Sequence, residues 1–168
     1  MTVQISYAQL RANFSSGTPS LPGYVSTADL FHEIGWDDFI SNPSYQNTCA
    51  IRLCLALIKT GHPLSSGSHK ILAGAYKGER VEVRMRTLAE KLAQPSWFGA
   101  PRVLEDRNVS NAIGSGQGVI AYFGLPGYSG GGHIDLIDGS AGALSCGTQC
   151  YNQADDVWFW PLQRGLVS

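Results

Sequence analysis

"YQNTCAIRLCLALIKTG", residues 45–61, decides how the rest of the chain is read. Asn47 or Thr48 can cap a helix here, Gly61 can terminate it, and Pro63 forbids its continuation. Between those limits Ile51, Leu53, Leu55, Leu57 and Ile58 cover most of a helical circumference, so the spacing predicts a central helix buried on nearly all sides. Its two cysteines read differently. Cys49 falls in the first turn, near unsatisfied backbone N–H groups and the positive end of the helix dipole, both of which favour a thiolate. Cys54 lies more than a turn deeper in an apolar run, where a thiol is usually a packing group. Two readings stay open, a pair of buried sulfurs or one nucleophile, and if there is a nucleophile it is Cys49.

Working outward, the N-terminal half predicts more helices. "ISYAQLRANF" (5–14) spaces Ile5 or Tyr7, Leu10 and Phe14 as a short amphipathic helix. "SSGTPSLPGYVS" (15–26) is turn-rich and reads as a surface loop. "STADLFHEIG" (26–35) has Ser26 and Asp29 at the spacing of a capping box, and Gly35 as a stop. "EVRMRTLAEKLAQPSWFG" (82–99) sets Met85, Leu88 and Leu92 on one helical face. The C-terminal half changes character. "GVIAYFG" (118–124), "GHIDLIDG" (132–139) and "DDVWFWPL" (155–162) predict three strands, and Gly-rich turns such as "LPGYSGGG" (125–132) suit antiparallel hairpins. Helices first and strands later give an α+β class, and residues 1–168 read as a single domain.

Composition excludes several functions. Of the 168 residues 43% are apolar and 15% charged, and the net charge is −1, so neither a general nucleic-acid binder nor an anionic-membrane binder is expected. The basic residues of "KGERVEVRMR" (77–86) are interrupted by glutamates and read as a solvated face. No stretch approaches the roughly 18 apolar residues of a membrane span. "MTVQISYAQLRANF" lacks the basic start, apolar segment and cleavage site of a classical export signal, so synthesis in the cytoplasm without such a signal is expected. A zinc site built from Cys49, Cys54, Cys146 and Cys150 would need four and three intervening residues rather than the usual two, so neither metal nor cofactor is expected.

A cysteine nucleophile needs a base, and "GGGHIDLIDG" (130–139) offers one. On a strand His133 and Asp135 point to one face while Ile134 and Leu136 point to the other. Asp135 can then orient the imidazole, and Asp138, at the strand end, is a weaker candidate. His32 reads as a surface or structural residue; His62 and His69 lie in a polar loop with no evident partner.

"YQNTCAIRLCLAL", "SGGGHIDLIDG" and "CGTQC…VWFWPL" together resemble the type VI secretion amidase effectors, specifically the fourth group of that superfamily. The resemblance runs from about residue 27 to residue 162. It implies a papain-like cysteine peptidase fold of the NlpC type, with N-terminal helices packed on an antiparallel sheet, and cleavage of peptide stems in peptidoglycan between D-glutamate and meso-diaminopimelate. Cys49 matches the family nucleophile and His133 its general base. Some members carry an aspartate inside the Cys-x3-Cys loop, where this chain has Thr148, so the third residue is Asp135, Asp138 or a group of that loop, with Asp135 preferred.

The resemblance further implies a disulfide between Cys146 and Cys150, delivery by the type VI secretion machinery into a target cell's periplasm, and a cognate immunity protein. Tyr45 and Asn47 are candidates for substrate contact or for shaping the turn, and Tyr45 alternatively for an aromatic plug. Arg52 contacts a stem carboxylate or an internal salt bridge. The Gly124–Gly132 loop is a docking or lid element, or an ordinary hairpin. The rival from another class is a non-enzymatic wall- or protein-binding module of the same fold.

Overall fold

The protein is described by a computed structural model, in which residues 3–104, 109–127, 131–141, 153–163 and 165 are described. Three helices precede the first strand. α1 (Tyr7–Ala12) opens with a full capping box, the Ser6 hydroxyl accepting from the Gln9 N–H while the Gln9 side chain accepts from the Ser6 N–H. α2 (Thr27–Ile34) takes the cap of Ser26 on the Asp29 N–H at 3.1 Å and ends at Gly35 in the left-handed region. α3 (Cys49–Lys59) is the predicted central helix, and every residue from Cys49 to Ile58 is buried. Thr60 and Gly61, the latter with φ 87°, unwind its end.

β1 (His69–Lys70) and β2 (Arg80–Val81) form a small antiparallel ribbon beside α3. α4 (Met85–Leu92) buries Met85, Leu88, Ala89 and Leu92, one face as the spacing predicts. The main sheet contains β3 (Arg102–Leu104), β4 (Gln117–Phe123), β5 (Gly132–Asp138) and β6 (Asp156–Pro161), with α5 (Val109–Ile113) before β4. Its order is β3-β6-β4-β5 and each neighbouring pair is antiparallel.

Alternation on the strands separates two cores. Val119, Ala121, Phe123, Ile134, Leu136 and Trp160 face α3 and the other N-terminal helices. Ile120, Tyr122, Ile137, Val157 and Phe159 face the opposite way and pack with Val109 and Ile113 of α5. The class is the expected α+β, helices on an antiparallel sheet. β5 is an edge strand, so its side chains border an open margin against which the start of α3 packs. β3 and α5 were not anticipated from sequence. Among the described residues no helix is long and apolar enough to cross a membrane.

Candidate active site

Cys49 begins α3 and is buried at the wall of a cleft of about 470 Å³. The residues before it fix the helix start. Asn47 Oδ1 accepts from the Cys49 N–H at 3.3 Å, while Asn47 Nδ2 donates to the Gly132 carbonyl at 2.8 Å. One side chain thus ties the first turn of α3 to the first residue of β5, and Cys49 Sγ lies 4.0 Å from the same carbonyl. Gly132 has φ 140°, and a Cβ there would run into the Tyr122 carbonyl, so only glycine lets β5 begin this close to β4.

His133 follows on β5 and lines the same cleft as Cys49, whose charge acts on the imidazole. Its Nε2 meets Asp135 Oδ2 at 3.1 Å. The Leu136 N–H donates to Asp135 Oδ1 at 2.8 Å, so both carboxylate oxygens are held. The ring also lies parallel to that of Tyr122, its register partner on β4, with centroids 6.3 Å apart. Burial alone would lower the imidazole pKa; the hydrogen bond to Asp135, with the charges of Asp135 and Cys49, outweighs it and raises the value to about 10. At neutral pH the ring is therefore an imidazolium, set beside the Cys49 sulfur and a carboxylate. Such an arrangement can activate sulfur for attack and then deliver a proton.

The remaining candidates separate. Tyr45 does not line the cleft: its ring stacks on Phe39 at 4.3 Å and its hydroxyl pairs with His69 Nε2 at 3.1 Å, inside an aromatic cluster with Trp36. His69 therefore has the partners that its loop did not suggest, with Ser68 on its other nitrogen at 2.8 Å. Glu82, expected on a solvated face, is buried and accepts from the Ser68 hydroxyl and from the N–H groups of Val83 and Arg84. Asp138 accepts from Gln117 and Ser140 at the end of β5 rather than from His133. Cys54 is buried against the Glu82 backbone, and burial pushes its thiol up to about 12. The Cys146–Cys150 pair and Thr148 fall outside the described residues, as do residues 128–130 of the Gly-rich loop. Among the described residues no group of three metal-ligating side chains comes together.

Phe14, Gly17 and Thr18 complete the cleft opposite Asn47, Cys49 and Asp135. Gly17 and Thr18 belong to the segment read as a surface loop, and Phe14 to the end of the helix read before it. Arg52 gathers that loop: Nε donates to the Thr48 hydroxyl, and Nη1 to the carbonyls of Ser15, Ser16 and Val25. Burial lowers the guanidinium pKa, against the charges of Tyr24, Asp135 and Cys49.

The family model of the type VI secretion system (T6SS) amidase effector protein 4, Tae4, matches residues 45–160. The chain belongs to this family. The matched span runs from the turn before Cys49 to the last strand of the sheet. Solved relatives share the fold across nearly the whole chain. Tae4 from Enterobacter cloacae superposes with a TM-score of 0.70 at 17% identity, covering 97% of this chain and 100% of that one. Tae4 from Salmonella Typhimurium, in a complex with Tai4 described as an effector–immunity complex, gives 0.64 at 23% identity over 93% and 94%. The Tae4–Tai4 complex from Enterobacter cloacae gives 0.64 at 19% identity, over 83% and 90%. No match was found among curated protein sequences. The fold of this Tae4-family chain is thus the papain-like NlpC type, α+β, with a cleft where the central helix meets the sheet edge.

Proposed function

We propose that the cleft hydrolyses amide bonds in the peptide stems of peptidoglycan. The observation that carries this reading is the placement of Cys49, His133 and Asp135 along one cleft, with His133 hydrogen-bonded to Asp135 and the charge of Cys49 acting on the same imidazole. Cys49 Sγ attacks the amide carbonyl, and N–H groups in the first turn of α3 receive the developing oxyanion. His133, charged at neutral pH, gives its proton to the leaving amine and then takes one from the water that hydrolyses the thioester. Asp135 orients the ring through its Nε2. The bond is that between D-glutamate and meso-diaminopimelate, the linkage that membership of the family favours. The effector is delivered to the periplasm of a target cell, and the cell that makes it carries an immunity protein, as Tai4 is to Tae4 in the solved complexes.

The test incubates diaminopimelate-type peptidoglycan fragments with the wild-type protein and with Cys49→Ala, resolving products by mass. New fragments from the wild type alone establish the amidase, and their masses name the bond. A folded wild type that binds stems and produces no fragment, reduced or oxidised, would instead indicate a wall-binding module.

A further inference from the structure

Arg52 is only partly spent on the fold. Its Nε and Nη1 are taken by a hydroxyl and three carbonyls, whereas Nη2 makes no hydrogen bond among the described residues. The residue as a whole is only 4% exposed, yet its side chain lines the cleft. Among the described residues no carboxylate lies within ion-pair distance of the guanidinium, which removes the internal salt bridge as an explanation. A buried cation bonded solely to neutral oxygens is an expensive arrangement for a loop tie, since neutral donors would serve at lower desolvation cost. The charge has a use if an anion arrives from the cleft.

Position favours a particular anion. Arg52 follows Cys49 by three residues on α3, so the two side chains rise from the same helix face, with Cβ atoms about 5–6 Å apart. Gly17 stands against the guanidinium: a Cβ there would lie 3.1 Å from Nε and 3.3 Å from Cζ, so the glycine keeps this approach open. Arg52 is also the one arginine or lysine among the described residues that line the cleft.

We propose that Arg52 Nη2 forms a carboxylate subsite, binding a free carboxylate of the substrate within a few bonds of the amide carbonyl presented to Cys49. This assignment rests on the peptide-stem reading above. Two stem groups have this chemistry, the α-carboxylate of D-glutamate on the acyl side and the free carboxylate of diaminopimelate on the amine side. A guanidinium N–H and a carboxylate form a charge-assisted hydrogen bond that a carboxamide cannot replace.

The experiment measures equilibrium binding to Cys49→Ala protein, which separates recognition from turnover. Three stem tetrapeptides are titrated: one with both carboxylates free, one amidated at the glutamate α-carboxylate, and one amidated at diaminopimelate. Amidating the contacted carboxylate should weaken binding at least tenfold, while the other amide stays within about twofold. Arg52→Gln on the same background should bind all three alike, provided its circular dichroism is native. Gly17→Ala, which crowds the guanidinium without removing it, should reduce the preference and serves where Arg52→Gln does not fold. Equal affinity of Cys49→Ala for the three peptides, or none measurable, overturns the subsite. A clear preference for the acid in binding, with no cleavage by the wild type, supports the subsite and removes the amidase reading. Cleavage of all three peptides by the wild type at one rate, with equal binding, does the reverse.

Discussion

His133 Nε2 and Asp135 Oδ2 meet at 3.1 Å on one face of β5, and the Leu136 N–H holds the other carboxylate oxygen at 2.8 Å. The pair is built from two residues of a single strand, so its geometry follows from the period-two pleat and needs no loop to close over it. Asp135→Asn keeps the shape and removes the charge that favours the imidazolium. It should lower kcat/KM for stem cleavage by about 10²–10³-fold, with a native fold by circular dichroism. Thr148→Ala, in the loop that offers the competing third residue, should stay within about threefold of wild type. The reverse pattern would move the orienting role to that loop.

Asn47 bridges the helix and strand that carry the sulfur and the imidazole. Asn47→Ala should lower kcat by about 10–10²-fold with little change in KM, because it loosens the alignment of Cys49 and His133 rather than substrate binding. Stability should fall by about 1–3 kcal/mol, since a carbonyl at the start of β5 loses its partner. Steady-state kinetics with urea unfolding check both. A rise in KM at unchanged kcat would instead make Asn47 a substrate contact.

Cys54 is the internal control for Cys49. It packs in the core and exchanges hydrogen bonds with the Glu82 backbone. Cys54→Ala should cost about 1–2 kcal/mol of stability and leave kcat/KM within about twofold. In the native state iodoacetamide should alkylate Cys49 and spare Cys54, which mass spectrometry of proteolytic peptides reads directly.

What could be read from the sequence was local, and what could not was long-range. α3 was legible because its apolar residues surround the axis and its stops are chemical, Gly61 and Pro63. β4, β5 and β6 were legible through β-branched and aromatic runs between glycines. β3, three residues long, and α5, five residues long, carry too little pattern, and the insertion of β6 between β3 and β4 is decided by pairing across the chain. In the cleft, Cys49, His133 and Asp135 sit in contexts with their own signals, a helix start and an alternating strand. Phe14, Gly17 and Thr18 do not, since turn residues announce a loop but not where it docks. Arg52 carried a partial signal, a charge within an apolar helix, although its acceptors lie 27 to 37 residues away. Tyr45 carried two readings from its nearness in sequence to Cys49, a substrate contact or an aromatic plug, and its ring packs with Phe39, Trp36 and His69 as the second describes.

The charge state of His133 fixes the sign of a pH effect. Its folded pKa is raised, to about 10 in the wild type, above an unfolded value near 6.5. The stabilisation is then fully present below the unfolded value and is lost as pH rises through the window toward the folded one. Cys54 acts in the same direction but begins near pH 9, its ordinary thiol value, because it too retains its proton in the folded state. The interval from pH 7 to 8.5 therefore isolates the histidine from Cys54, and Cys49→Ala removes the neighbouring sulfur from the comparison. On that background the Asp135 bond still raises the imidazole, so unfolding free energy should fall across the interval, with a slope of at most about 1.4 kcal/mol per pH unit. Adding Asp135→Asn should flatten the slope. Nitrogen shifts of the labelled imidazole give an independent check: in the wild type His133 should remain protonated at pH 8. A His133 ring that is neutral at pH 7 would remove the imidazolium from the mechanism and leave a general-base start, with the thiol deprotonated only as it attacks.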